Sequence, residues 1–110
     1  MAKVARGEIW QCSFAKPDHR RPVLVLTRAD MIARLNHVTI APITKTIREV
    51  PSEVVIGVES GLKRPSAVNL HHVMTVPLAL LRTFVGTASS DTMEQVRIAL
   101  LFALGFRSRP

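Results

Sequence analysis

The chain has 110 residues, which suits one domain spanning residues 1–110 around a single hydrophobic core and is too short for two domains. Hydrophobic residues make up 47% and charged residues 21%, so a disordered tail and a low-complexity repeat are both excluded. Lys and Arg outnumber Asp and Glu by 15 to 8, and the resulting formal net charge of +7 attracts polyanions such as nucleic acid.

The first third of the chain predicts the centre of a β-sheet. GEIWQCSF (7–14) contains the aromatic and β-branched residues that favour a strand, and Pro17 and Asp18 mark a turn after it. PVLVLT (22–27) is an almost continuous aliphatic run, which is typical of a central strand buried on both faces.

The middle of the chain predicts one short helix and several further strands. RADMIARL (28–35) favours a helix of about two turns. HVTIAPIT (37–44) favours a strand in which Pro42, lacking an N–H donor, marks an edge, a bulge or the strand end. The remaining short strand candidates are SEVVIGV (52–58), SAVNL (66–70), VMTVP (73–77) and TFVGTA (83–88). Their spacing is typical of a small barrel or sandwich.

SSDTMEQVRIALLFALGF (89–106) predicts the longest helix. Ser90 or Asp91 is the expected N-cap, and Gly105 is the expected C-terminal stop. Three apolar residues lie outside the main apolar stripe of this helix, so the helix is either nearly enclosed or meets a partner with its second face. They are Ile98, Leu101 and Phe102.

Several classes of protein and of site find no support in the sequence. No apolar run is long enough to span a bilayer and no signal peptide is recognisable, so we expect a cytoplasmic protein without membrane contact. The single cysteine, Cys12, is expected to be a buried or half-buried thiol. We expect no metal site, because His71 and His72 would point to opposite faces of a strand. Hydrolase elbows, P-loops and dinucleotide fingerprints are absent.

Most of the positive charge lies in the predicted connections between strands. If these connections meet at one end of a small barrel, they form a rim that binds a phosphate backbone; the alternative is that they are simply solvated loops. Few aromatic residues are available to stack bases, so binding would rely on cations and polar side chains. The RNA-binding candidates are Arg20, Lys45, Thr46, Arg48, Ser52, Lys63, Arg64, Asn69 and His71.

One chemistry requires neither a metal nor a protein nucleophile. RNA carries its own nucleophile, the 2′-OH, and a protein that aligns this group, stabilises the phosphorane charge and moves protons will cleave the chain. The products are a 2′,3′-cyclic phosphate and a 5′-OH, and DNA is not a substrate.

Six motifs in order resemble the MazF/PemK family of toxin endoribonucleases from bacterial toxin-antitoxin pairs. The resemblance extends from Arg6 to Phe106. The motifs are RGEIW (6–10), RRPVLVLT (20–27), VTIAPIT (38–44), PSEV (51–54), GLKRPSAVNL (61–70) and ALGF (103–106).

This resemblance implies a mostly β fold with helices (α+β), namely an SH3-like small β-barrel of the MazF/CcdB type with a C-terminal helix. It also implies a homodimer that cleaves single-stranded RNA at a short sequence without a metal or other cofactor. The implied inhibitor is a cognate MazE-like antitoxin with an acidic flexible segment.

The family's catalytic pair carries over to Arg21 and Thr44. Arg21 offers a fixed fork of donors to phosphate oxygens, and Thr44 can orient a neighbouring oxygen. Arginine is a poor base, so the proton of the 2′-OH is expected to go to Asp18 or His19, between which the sequence does not decide.

The sequence departs from the family pattern in two places. The first connection is shorter than in many members, and His71 and His72 stand where the family commonly has Asp followed by Gln or Asn. Two alternatives therefore stay open. The protein could be a non-catalytic toxin of the same fold that binds a protein such as DNA gyrase, or a domain that retains only RNA binding.

Overall fold

The computed structural model describes residues 3–14 and 20–106. Within these residues, seven strands and two helices follow one another along the chain. They are β1 (Glu8–Ser13), β2 (Arg20–Val25), α1 (Ala29–Leu35), β3 (His37–Thr44), β4 (Glu53–Ile56), β5 (Ser66–Asn69), β6 (Met74–Pro77), β7 (Leu81–Thr87) and α2 (Ser90–Leu104).

The seven strands form one antiparallel sheet. Its order is β4-β5-β3-β2-β1-β7, and β6 pairs with β3 outside this path. The sheet is not closed by hydrogen bonds between its two end strands, but its architecture matches the predicted class of a mostly β, small-barrel-like fold with a C-terminal helix. The fold class inferred from the sequence is therefore confirmed.

Strand β3 is the junction of the sheet because it has different partners along its length. On one edge, Ile40 to Pro42 pair with β2. On the other edge, residues 37–40 pair with β6, whereas Ile43 and Thr44 pair with β5. Pro42 lies where the strand passes from β6 to β5, so its missing N–H donor falls between the two ladders.

Both faces of the sheet are covered. A first core lies between the sheet and α2 and includes Ile9, Leu24 and Val96. A second core lies on the other face and includes Val23, Val25 and Ile32 of α1. Strand β2 contributes to both cores, as its uninterrupted aliphatic run predicts, and Val23 to Val25 are completely buried.

Helix α2 begins one residue earlier than the sequence suggested. Its N-cap is Ser89, whose side-chain oxygen accepts a hydrogen bond from the backbone N–H of Thr92 at 3.1 Å, so the expectation of Ser90 or Asp91 was wrong. The two adjacent serines offer the same hydroxyl, and only the backbone path decides between them. The helix ends at Gly105 as predicted, in a left-handed conformation with φ of 81°.

A close contact between two backbones brings the ends of the sheet together. The connection after β4 contains a single 3-10 turn, Val58–Ser60, and packs against β7. A Cβ atom added at Gly86 would lie 2.0 Å from the carbonyl oxygen of Ser60, and one added at Gly61 would lie 2.5 Å from that of Val85. Only glycine permits this approach at both positions.

None of the helices within residues 3–14 and 20–106 is long and apolar enough to cross a membrane.

Replacing Gly86 by Ala should lower the free energy of unfolding by about 2–4 kcal/mol, because the new methyl group cannot fit against the Ser60 carbonyl. Urea denaturation followed by circular dichroism measures this change. The control is Gly105→Ala, where φ is in the left-handed region but nothing lies within 4 Å of the added Cβ; it should cost only about 1 kcal/mol. Equal effects of the two substitutions would contradict the close contact.

Cys12 belongs to the second core, and burial raises the pKa of its thiol, against a smaller opposing effect of Arg82. The folded chain therefore keeps the thiol proton to a higher pH than the unfolded chain. The contribution of this group to stability is complete below the unfolded pKa of about 8.5 and is lost as the pH rises through the higher folded pKa.

In the native protein, Cys12 should react with a thiol reagent at pH 8 much more slowly than in guanidinium-unfolded protein. Denaturation curves between pH 7 and pH 10 should show a decrease in stability at the alkaline end that is smaller in Cys12→Ala. Equal reaction rates in the native and unfolded states would show that the thiol is accessible.

Candidate functional site

A depression of about 810 Å³ opens at one end of the sheet, where β2 begins and β3 ends. The connection between β4 and β5 forms its opposite wall. The lining residues are Gln11, Arg20, Arg21, Pro22, Ile43, Thr44, Lys45, Gly61, Leu62, Lys63, Arg64, Ser66, Thr83 and Val85. We call this depression the basic pocket.

The basic pocket is strongly cationic. Five of its lining residues are Arg or Lys and none is acidic, among the residues that the structure describes. Within the same residues, the ion pairs lie elsewhere on the surface: Arg28 with Asp30 at 2.8 Å, and Arg97 with Glu94 at 2.5 Å. The pocket therefore presents a concentrated positive field suited to a polyanion. The five cations are Arg20, Arg21, Lys45, Lys63 and Arg64.

Arg21 and Thr44 reach the pocket from neighbouring strands. The register of β2 and β3 pairs Val23 with Pro42, and continuing it by two residues aligns Arg21 with Thr44. Both side chains line the basic pocket. The Thr44 hydroxyl oxygen also accepts a hydrogen bond from the backbone N–H of Thr46 at 3.2 Å, which leaves its proton free to be donated to another acceptor.

The structure adds two polar residues that the sequence analysis did not identify. Gln11 and Thr83 line the basic pocket and are register partners in the β1–β7 ladder. Gln11 also pairs with Pro22 across the β1–β2 ladder. The signal was present in the sequence, because Gln11 is a polar residue two positions after the buried Ile9, on the same face of a strand.

The predicted RNA-binding residues separate into two groups. The group at the basic pocket comprises Arg20, Lys45, Lys63 and Arg64. Ser52, Asn69 and His71 do not line the pocket and lie toward the opposite end of β5, where Asn69 pairs with Glu53. Three residue steps separate Ser66 from Asn69, a span of roughly 10 Å along an extended strand.

The connection between β3 and β4 joins these two groups. It leaves Thr44 at the basic pocket and reaches β4 at the far end of β5. Thr46 and Arg48 lie in this connection, and its later part is held by Glu53, whose carboxylate accepts bonds from the N–H groups of Arg48 and Glu49 at 2.9 and 3.0 Å.

Ser52, His71 and His72 form a cluster at the far end of β5. The Ser52 hydroxyl and Nδ1 of His71 are 2.6 Å apart. His71 and His72 belong to a single 3-10 turn, Leu70–His72, and their ring centroids are 4.5 Å apart in an edge-to-face arrangement. The expectation that the two rings point to opposite faces of a strand was therefore wrong, because the strand ends at Asn69.

No group of three or more potential metal ligands occurs within residues 3–14 and 20–106. Asp18 and His19, the two candidate general bases, lie outside the described residues.

Comparison with known proteins agrees with this architecture. The chain matches the family model "PemK-like, MazF-like toxin of type II toxin-antitoxin system" over residues 5–104. It is similar to the probable endoribonuclease MazF5 of Mycobacterium tuberculosis, with 43% identity over 101 residues that cover 91% of this chain and 92% of the relative. Endoribonuclease MazF3 of the same species is 40% identical over 73 residues, which cover 66% of this chain and 71% of the relative.

Solved structures show the same fold. The Mycobacterium tuberculosis toxin MazF-mt6 superimposes on this chain with a TM-score of 0.85 at 31% identity. The superposition covers 92% of this chain and 99% of the toxin chain. A mycobacterial endoribonuclease in complex with its cognate antitoxin gives a TM-score of 0.86 at 24% identity, covering 96% and 99% of the two chains. The chain therefore belongs to the PemK-like, MazF-like toxin family of type II toxin-antitoxin systems, as its ordered motifs predict.

Proposed function

We propose that the protein is a MazF-type toxin endoribonuclease that cleaves single-stranded RNA at a short sequence without a metal ion or other cofactor. A single toxin domain, residues 1–110, carries this activity, and its RNA substrate places its action in the cytoplasm. The main support is that Arg21, near the start of β2, and Thr44, at the end of the neighbouring β3, both line a pocket that contains five cations.

The proposed reaction uses the 2′-OH of the substrate as nucleophile. Its oxygen forms a bond to phosphorus while the bond from phosphorus to the 5′-oxygen breaks, giving a 2′,3′-cyclic phosphate and a 5′-OH. Arg21 donates its guanidinium N–H groups to the non-bridging oxygens, on which negative charge develops. Thr44 donates a hydrogen bond from its hydroxyl to a neighbouring oxygen. This bond holds the phosphorus in line with the attacking 2′-oxygen and the departing 5′-oxygen.

Two proton transfers complete the reaction. Asp18 or His19 takes the proton from the 2′-OH, because both precede Arg21 in the same connection and the arginine side chain offers no acceptor for this proton. A second proton reaches the departing 5′-oxygen, for which Arg21 is a candidate donor.

The remaining cations and polar groups hold RNA on either side of the cut. Arg20, Lys45, Lys63 and Arg64 line the pocket and bind the phosphates nearest to Arg21. The second group, Ser52, Asn69 and His71, binds RNA further along the surface, since it lies toward the far end of β5. Thr46 and Arg48 bind RNA between the two groups, in the connection from β3 to β4.

The same charge distribution suits an inhibitor. We propose that the acidic flexible segment of a cognate MazE-like antitoxin occupies the basic pocket and excludes RNA, because it would neutralise the same cations. We also propose a homodimer. The C-terminal part of the chain exposes large apolar side chains that an isolated chain leaves in water, and these are Ile98, Phe102 and Leu104 of α2 and Phe106, which follows the helix.

Arg21→Ala should reduce RNA cleavage by at least about 100-fold, because the main stabiliser of the phosphorane charge is removed. Arg21→Lys should restore little, since an ammonium group lacks the planar fork. The assay incubates protein with a long RNA and its DNA equivalent in excess EDTA and analyses the product ends. The matched control is Arg34→Ala, an exposed cation in the last turn of α1, which should cleave like the wild type.

Discrete RNA cuts with cyclic-phosphate and 5′-OH ends, retained in EDTA and absent on DNA, are the expected result. Cleavage that persists in Arg21→Ala would refute the role of Arg21. Intact RNA with the wild-type protein, together with inhibition of DNA gyrase that survives Arg21→Ala, would favour the non-catalytic alternative.

Replacing both Lys63 and Arg64 by Gln should weaken RNA binding and also its dependence on salt. Each lost phosphate contact to a single strand reduces the magnitude of the slope of log K against log salt by about 0.7. The slope of the double variant should therefore be smaller by about 1.4 than that of the wild type. Fluorescence anisotropy with an uncleavable 2′-O-methyl RNA between 50 and about 300 mM salt measures this slope. An unchanged slope would show that these two cations do not contact phosphate.

A further inference from the structure

The floor of the basic pocket differs chemically from its rim. We call the exposed part of the lining the rim and the half-buried part the floor: the rim contains the five cations, whereas the floor contains the apolar residues Pro22, Leu62 and Val85. Two uncharged polar side chains, Gln11 and Thr83, accompany this apolar surface. A phosphate binds best to the cations of the rim, so the floor suits a different part of the substrate.

Gln11 is held between two neighbouring strands of the sheet. It lies in the middle of β1, which is hydrogen-bonded to β2 on one side and to β7 on the other. Its neighbour two residues earlier, Ile9, points into the first core and is completely buried. Gln11 therefore stands on the face of β1 where the hydrophobic core ends and the basic pocket begins.

The Gln11 amide has hydrogen-bonding capacity to offer a ligand. It carries a carbonyl acceptor and an NH2 donor side by side, and among the described residues no hydrogen bond to this side chain is formed. The side chain is only half-buried, so it remains accessible from the pocket. The Thr83 hydroxyl lies on the adjacent strand, at the paired position.

An apolar surface beside an amide is complementary to a nucleobase. The faces of a base are apolar, and its edge displays a donor and an acceptor on neighbouring atoms, which an amide satisfies with two hydrogen bonds. No aromatic side chain lines the basic pocket among the described residues, so the apolar contact falls to Pro22 and to the aliphatic residues Leu62 and Val85.

We infer that Gln11, supported by Thr83, reads the edge of the base next to the phosphate held by Arg21 and Thr44, and so determines the preferred nucleotide at one position of the cleavage site. This inference rests on the proposed function, because it assigns a role in choosing the RNA sequence. Gln11 and Thr83 are specificity-determining residues and take no part in proton transfer.

The test maps the cut sites of wild type and Gln11→Leu on a long RNA by sequencing the new 5′-OH ends. Leucine matches the size of glutamine and cannot hydrogen-bond. The preference at one nucleotide position next to the cut should fall by about tenfold, while preferences at other positions persist. Thr83→Val should give a smaller change at the same position. Gln95→Leu, the same substitution at an exposed site on α2, should leave the motif unchanged.

A second variant covers the case in which Gln11→Leu folds poorly. Gln11→Glu keeps the size but presents only acceptors, so it should shift the preference at that position toward bases that display two donors. A wild-type motif in both Gln11→Leu and Gln11→Glu would overturn the inference. A uniform loss of rate in folded protein with no change of motif would also overturn it, because it indicates a positioning role.

A binding assay tests this inference independently of the proposed function. Homopolymeric 2′-O-methyl oligonucleotides of A, C, G and U report base preference without cleavage. The wild-type protein could cleave no RNA but bind one homopolymer more tightly than the others, with Gln11→Leu removing that difference in affinity. This result would contradict the proposed function and support the role of Gln11 in base recognition. Equal affinities of the wild type for all four would overturn the reading role.

Discussion

The contact between the backbones at Gly61 and Gly86 determines the shape of the molecule. The strands β4 and β7 lie at the two ends of the sheet order and share no hydrogen-bond ladder. They are nevertheless brought together because the connection after β4 lies directly against β7, without side chains between the two backbones. The segment that follows Gly61 carries Lys63 and Arg64, so this contact also places two cations opposite the start of β2.

The position of Arg21 depends on a second constraint, the burial of β2 on both faces. Val23 and Leu24 point into different cores, so the strand can neither rotate nor shift by one residue without exposing an aliphatic side chain. Strand β3 is fixed in the same way by its pairing with three neighbours. The basic pocket is therefore built on fixed strand ends, which is the arrangement that phosphate alignment requires.

Much of this could be predicted from the sequence, because the informative signals are local. The aliphatic run of β2 and the capped, apolar α2 follow directly from residue patterns, and the ordered motifs gave the family. The N-cap at Ser89 was missed by one residue, since adjacent serines are chemically equivalent. The turn at His71 and His72 was missed because a strand and a 3-10 turn are indistinguishable in so short a segment.

The division of the predicted binding residues into two groups could not be predicted. It depends on the path of the β3–β4 connection, which crosses from one end of β5 to the other, and composition alone does not reveal such a crossing. Ser52 and His71 therefore look equivalent to Lys63 in the sequence, although only Lys63 lines the pocket. Gln11 was overlooked because a single amide within a strand carries no distinctive pattern.

The clustering of five cations at one end of the sheet also affects the folded state itself. Like charges held close together repel one another, and unfolding would let them separate, so the free protein carries a self-repulsion that opposes folding. Any polyanion that occupies the pocket removes this repulsion and, by linkage, stabilises the fold in proportion to its concentration and affinity. The molecule is thus most stable when it is occupied, whether the occupant is a substrate or an inhibitor.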